Sequence, residues 1–184
     1  AEDGIRDRDV TGVQTCALPI YEKAVAGGFG DALQTAIDDR GLVITVVTDA
    51  VVFRSGSAEL GLSGADILQL VGSALATVDN HVLVEGHTDN VPINTTTYPS
   101  NWELSSARAG AVVRFFERMA LLPGRLQAAG FADTRPIDSN TSESGRARNR
   151  RVEVIVASDA DALKTRILEE ASLASSKLAR TDTP

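Results

Sequence analysis

Apolar runs and amphipathic stretches alternate through the first half of the chain and predict alternating strands and helices. Residues 42–47 (LVITVV) form a β-branched run flanked by glycine and aspartate, which is typical of a strand buried on both faces. Residues 81–85 (HVLVE) read as a second buried strand. Between them, apolar side chains recur at helical spacing from about residue 63 to 78, after a start over 63–66 that resembles a capping box. Strand, helix and strand in this order imply a right-handed parallel crossover.

The second half of the chain carries the same kinds of signal. Prolines bracket a polar stretch, an amphipathic run follows it, and two further apolar segments show strand character. We predict in order a polar loop over 91–100, a helix over 101–119 stopped by Pro123, a strand over 126–131, a polar loop over 139–145 and a strand over 152–157.

Both ends of the chain lie outside this pattern. Residues 10–20 (VTGVQTCALPI) resemble the translation of a sequencing-library adapter, so we expect residues 1–20 to be a non-native leader. Residues 21–40 are predicted to be a linker with a short helix over 31–39, preceded by a glycine-rich joint. Residues 159–184 have helical composition and a disordered-looking end. We therefore place one domain over 41–158.

Charge and composition exclude several classes of function. The formal net charge of −7 and the acidic pI of about 4.8 disfavour binding to nucleic acid or anionic lipid. No run approaches the roughly 18 apolar residues of a membrane helix. A single cysteine, Cys16, excludes an intramolecular disulfide and a cysteine-based metal site.

One arginine lies where the helical pattern calls for an apolar residue. At about 100° per residue, Leu104, Val112, Phe115 and Met119 share one face of the predicted helix, and Arg108 lies in the middle of that face. Its aliphatic stem could follow the core while its head pairs with a structural carboxylate. Alternatively, the compensating anion is a ligand.

A carboxylate suited to the same site follows the second predicted strand. Asp89 lies just past the carboxyl end of that strand, where open α/β sheets bind ligands. Asp89 and Arg108 could hold the ammonium and carboxylate of an amino-acid zwitterion, or they could pair with each other. Arg150 and Arg151 abut the last strand, so alternation sends them to opposite faces and one of them could reach this site.

The sequence offers little support for catalysis or metal binding. His87 and Asp89 are two residues apart, but no further nearby His or Cys completes a metal site, so we predict none. Ser105 and Ser106 have no histidine base at a recognisable motif spacing, and the sequence has no glycine-rich phosphate loop. We expect no enzyme and no cofactor.

Four separated blocks together resemble the OmpA-like peptidoglycan-associating domain. Three of the blocks are Gly86-His87-Thr88-Asp89, then Asn101 with Leu104-Ser105 and Arg108-Ala109, then Gly145-Arg146-Ala147 with Asn149-Arg150-Arg151-Val152-Glu153. The fourth, less strict block covers residues 53–60. Residues 90–93 (NVPI) and 98–105 (YPSNWELS) are similar to the version found in MotB-type flagellar stator subunits.

The resemblance implies an α/β (α+β) fold, a βαβαββ mixed sheet with helices packed on one side. It also implies noncatalytic binding of the diaminopimelate-type stem peptide of peptidoglycan. By motif, Asp89 would bind the ligand's ammonium and Arg108 its carboxylate. The supporting residues would be Asn101, Arg150, Asp49 and Phe53.

The same resemblance also implies where the protein lies in the cell and which partners it has. It implies a periplasmic domain of an inner-membrane-anchored bacterial protein, which forms a homodimer and meets a channel-forming stator subunit through an N-terminal region absent from this chain. Peptidoglycan would be its partner and nucleic acid would not. The alternative is an OmpA-like cell-wall tether of an envelope lipoprotein or porin unrelated to motility.

Overall fold

The described residues form one mixed sheet with helices against it. The structure is a computed structural model that describes residues 22, 25–30, 32–48 and 52–158. In that part of the chain the strands are β1 (Leu33–Asp38), β2 (Gly41–Val47), β3 (Val82–His87), β4 (Leu126–Gly130) and β5 (Arg151–Ala157). The helices are α1 (Leu62–Leu75), α2 (Asn101–Arg118), a 3₁₀ turn (Pro123–Arg125) and α3 (Glu143–Asn149).

The strand order places the last strand in the middle of the sheet. The order is β1-β2-β5-β3-β4, with β5 antiparallel to both β2 and β3 and with β3 parallel to β4. Strands β2 and β3 therefore run parallel, as the predicted crossover requires, but β5 separates them. The expected mixed α/β fold is confirmed, as are the predicted strands and the two long helices.

The predicted helix over 31–39 is wrong, because Leu33–Asp38 forms strand β1. This strand pairs antiparallel with β2 from Leu33 opposite Val46 to Asp38 opposite Gly41. Leu33 is fully buried, whereas Ile37 is exposed. The spacing of apolar residues suggested a helix, but pairing with the neighbouring strand decided the conformation. Gly41 has a φ of 129°, which suits glycine after the tight turn.

Two further predictions need correction. Part of the loop expected over 139–145 begins helix α3, whose N-cap Ser142 accepts a hydrogen bond from the Gly145 amide. The capping box expected over 63–66 does not form, since Gly61 is the N-cap of α1 and makes no side-chain capping bond. Within the described residues the element order is thus ββαβαβαβ rather than βαβαββ.

The two faces of the sheet differ in chemistry. Alternate residues of the central strands, including Ile44, Val84 and Val154, join one apolar core with α1 and α2. The opposite face carries buried polar and charged side chains on β3 and β5, namely Glu85, His87, Arg151 and Glu153.

Several sequence-based expectations concern residues outside the described part. The leader over 1–20 and the tail over 159–184 are among them, as is Asp49. Among the described residues no helix is long and apolar enough to cross a membrane.

Candidate functional site

A cleft of about 490 Å³ opens where β2 and β3 end and α2 begins. Its walls come from the loop after β3, the segment after β2, and helices α2 and α3. The polar and aromatic residues that line it include Thr48, Phe53, Thr88, Asp89, Asn101, Arg108, Glu143, Arg146 and Arg150. Residues separated by about a hundred positions along the chain thus share one site.

Asp89 is held at the base of the cleft, two residues beyond the end of β3. Its Oδ1 accepts a hydrogen bond from the Val91 amide at 3.0 Å, and its Oδ2 accepts one from Arg150 at 2.5 Å. The backbone before it is fixed too, because the Thr88 amide donates to the Ala132 carbonyl at 2.9 Å. The carboxylate is therefore buried, oriented and paired.

Arg108 projects from the apolar face of α2 into the same cleft. It is 5% exposed, and its Nε donates to the Ser57 carbonyl at 3.0 Å. Its guanidinium carbon lies 5.3 Å from the centre of the Phe53 ring, within the range of a cation–π contact. The segment after β2 thus orients this arginine through a carbonyl and an aromatic ring.

Asn101, the first residue of α2, ties the helix to the loop that carries Asp89. Its side-chain amide donates to the carbonyls of Asp89 at 3.3 Å and Val91 at 3.0 Å. The helix start is itself fixed by a capping box, in which Ser100 and Glu103 bond reciprocally. Asn101 therefore sets the position of Asp89 relative to α2.

Arg150 bridges two carboxylates across the cleft. One terminal nitrogen bonds Asp89, and the other bonds Glu143 at 2.9 Å. The next residue, Arg151, bonds Glu153 on the other face of the sheet at 2.7 Å. The alternation of side chains along a strand did not decide whether Arg150 or Arg151 would reach the site, and the structure places Arg150 there.

Glu143 and Arg146 were missed as site residues. Helix α3 carries both, and Glu143 accepts hydrogen bonds from Arg146 and Arg150. These bonds, the one from Arg146 above all, lower the pKa of the Glu143 carboxyl. The sequence did contain a signal for this helix: the capping residue Ser142 is followed by an acidic and a basic residue three positions apart, Glu143 and Arg146.

The cleft differs in charge from the chain as a whole. Among the described lining residues, two carboxylates face three guanidinium groups, whereas the full chain carries a formal net charge of −7. A local excess of arginine favours a ligand that carries carboxylate groups. The two carboxylates offer a position for an ammonium group.

The same residues carry a family signature. The model of the family described as OmpA family matches residues 52–150, which include the whole cleft apart from Thr48. The chain belongs to the OmpA family. The residues that the sequence predicted for the site of this OmpA-family chain and that the structure describes all line the cleft: Phe53, Asp89, Asn101, Arg108 and Arg150.

Individual relatives give a finer comparison. The chain is 42% identical to the uncharacterized protein YtxE of Bacillus subtilis over 120 residues, 65% of this chain and 49% of that protein. It is 32% identical to Motility protein B of the same organism over 126 residues, 67% of this chain and 48% of that protein. The chain thus spans about half the length of the curated relatives it matches.

A solved structure extends the likeness. The cell wall anchor of the type VI secretion system (T6SS) from Pseudomonas aeruginosa is 36% identical, with a TM-score of 0.70 over 77% of this chain and 96% of that one. The prediction of an OmpA-like domain similar to the MotB type is confirmed.

Proposed function

We propose that this OmpA-family domain binds the stem peptide of peptidoglycan without catalysis and anchors a flagellar stator complex to the cell wall. The observation that carries the proposal is the cleft, in which oriented arginines and carboxylates converge on one concave site. The likeness to Motility protein B and to a cell wall anchor supports both parts of it. We place the domain in the periplasm, as a homodimer that meets a channel-forming stator subunit through sequence outside this chain.

Meso-diaminopimelate fits the charges of the cleft. Its side chain ends in an amino-acid centre with one ammonium and one carboxylate. Arg108 would bind that carboxylate through its planar guanidinium, and Asp89 would bind the ammonium beside its contact with Arg150. Asn101 and Arg150 keep Asp89 in place, and Phe53 supports Arg108. Asp49 is proposed as a further contact from the sequence motif alone.

The test is co-sedimentation of the full chain with purified peptidoglycan. Arg108→Ala and Asp89→Asn should each weaken binding by roughly 10-fold or more, since each removes a charge-assisted contact. Arg114→Ala, on the exposed side of the same helix, is the matched control and should bind like wild type. Circular dichroism melts would establish that all the variants fold.

A comparison of two types of peptidoglycan tests the role of diaminopimelate separately from the location of the binding site. Lysine-type peptidoglycan keeps the side-chain ammonium but lacks the terminal carboxylate, so wild type should bind it more weakly than the diaminopimelate type. Arg108→Ala should reduce that difference. Equal binding of both types by wild type would overturn the role of diaminopimelate, and equal binding by wild type and both site variants would overturn the site.

A tether unrelated to motility is the second candidate, and the likeness to the T6SS cell wall anchor favours it. Peptidoglycan binding is common to both candidates. Restoration of swimming in a stator-deficient cell, by a stator whose wall-binding domain is replaced with this one, would support the motor role. Failure of a chimera that still binds peptidoglycan would favour the tether.

A further inference from the structure

A second cluster of ionisable side chains lies on the face of the sheet away from α1 and α2. Glu85 and Glu153 are directly opposite each other in the antiparallel β3–β5 pair, and His87 follows two residues along β3 on the same face. All three are buried. Two like charges across a strand pair repel each other, so the arrangement requires a cation between them.

Three arginines supply positive charge: Arg151 bonds Glu153 at 2.7 Å, Arg135 lies 3.5 Å from Glu85, and Arg40 contacts both glutamates. One terminal nitrogen of Arg40, in the turn between β1 and β2, lies 3.2 Å from Glu85 Oε2 and 3.2 Å from Glu153 Oε2. The Arg40 side chain is 37% exposed and also bonds Asp38 at 2.8 Å. It can therefore leave the two glutamates and still keep a carboxylate partner.

His87 is the feature that ion pairing does not explain. The residue is 1% exposed, and within the described part of the chain neither ring nitrogen has a hydrogen-bond partner. Its Nε2 lies 3.7 Å from Glu85 Oε2, and its ring stacks on Phe131 with centroids 5.6 Å apart. A buried polar group without a partner is unfavourable, and such exceptions in native proteins often mark an ion or a functional role.

We propose that Glu85, His87 and Glu153 form a binding site for one divalent transition-metal ion, with Zn²⁺ the best match. Each residue offers one ligand atom, and these atoms lie within 4.8 Å of one another. One imidazole nitrogen and two carboxylate oxygens are a donor set that Zn²⁺ accepts, with a solvent molecule in the fourth position.

The geometry requires only local movement. Zinc bonds of about 2.0–2.2 Å place neighbouring donors roughly 3.5 Å apart, which is close to the present separation of His87 and Glu85. The side chain of Glu153 would rotate inward as Arg40 moves out toward Asp38.

Bound zinc would join strands β3 and β5, which carry its ligands. It would also fix His87, which precedes Asp89 by two residues along the chain, and Asp89 lies at the base of the cleft. The proposal is independent of peptidoglycan binding, because the metal ligands lie on the opposite face from the apolar core and none of them lines the cleft.

The test is zinc binding to the full chain after chelator treatment, measured by calorimetry and by elemental analysis of the dialysed protein. All measurements use a Cys16→Ser background, which removes the only thiol. We expect one zinc ion per chain and a thermal midpoint raised by zinc. His87→Ala should weaken binding at least 10-fold, and Glu85→Gln gives a second variant should His87→Ala fail to fold.

Two further variants make the proposal specific. His81→Ala removes the other histidine of the chain and should bind zinc like the background protein. Arg40→Ala removes the cation that contacts both glutamates and leaves Arg135 and Arg151 in place. It should tighten binding by about 10-fold, which a purely structural ion-pair network does not predict. Absence of zinc binding in both the background and Arg40→Ala proteins at about 100 μM metal would overturn the proposal. Binding that is insensitive to His87→Ala would do the same.

Discussion

Two glycines allow helix α2 to lie against the ends of β3 and β4. A Cβ on Gly86 would lie 2.2 Å from the Ser105 carbonyl oxygen, and one on Gly130 would lie 2.5 Å from the Ser106 amide nitrogen. Ser105 is fully buried, and its hydroxyl accepts a hydrogen bond from the Ala132 amide. This close approach brings Arg108, one turn further along the helix, into the same cleft as Asp89.

Gly86→Ala should therefore destabilise the domain strongly. The added methyl group would overlap a backbone oxygen, which cannot move without shifting α2, and we expect a loss of about 3 kcal/mol in the free energy of unfolding. Urea denaturation measures this loss. Gly124→Ala is the matched control, because a Cβ there meets nothing within 4 Å, and it should change stability by less than about 1 kcal/mol. A small effect at Gly86 would contradict the packing argument.

Helix α3 is held to the preceding loop by one buried side chain. Asn149 is fully buried, and its Oδ1 accepts hydrogen bonds from the amides of Ile137 at 2.8 Å and Asp138 at 2.9 Å. Its Nδ2 donates to the Asp138 carbonyl and to the Asn140 side chain, both at 2.8 Å. These four bonds fix the element that carries Glu143 and Arg146 into the cleft.

Asn149→Ala should lower the free energy of unfolding by roughly 2–4 kcal/mol, because it leaves several buried polar groups without partners. Peptidoglycan binding should weaken in parallel as α3 loses its anchor. Arg148→Ala, which removes only an exposed pair with Asp138, should cost less than about 0.5 kcal/mol. Denaturant titration of the two variants compares them, and equal stability losses would refute the anchoring role of Asn149.

At the scale of the whole molecule, strand β1 belongs to the folded unit. It covers the edge of β2 through six paired positions, and Leu33 is fully buried in the core. The domain boundary placed at residue 41 on sequence grounds would remove this strand. An uncovered β2 edge would also offer unpaired backbone groups to other chains.

A fragment of residues 32–158 should therefore be more stable than one of residues 41–158. Loss of Leu33 burial and of the edge strand should cost about 3 kcal/mol or more, together with a greater tendency to associate. Chemical denaturation and light scattering of the two fragments measure both effects. Equal stability and equal monomer content would show that β1 is dispensable.

The sequence by itself determined the elements whose signals are local. Strands β2 to β5 and helices α1 and α2 follow from runs and spacings of apolar residues within short windows. It also marked Arg108, as a charge on an apolar helix face, and Asp89, as a carboxylate just past a strand. Both line the cleft, because helical periodicity places Arg108 on the face of α2 that packs against the sheet and Asp89 follows the end of a strand.

Only the tertiary structure decided the features that depend on partners distant in the chain. Leu33–Asp38 is a strand because β2 is its neighbour, and its own composition favours no such state. Asp89 pairs with Arg150 because α3 and β5 bring that arginine beside the end of β3. Glu85 faces Glu153 because β5 inserts between β2 and β3 in one register. The spacing of residues within one segment does not say which strand becomes its neighbour, since the pairing energy is shared by strands that are far apart along the chain.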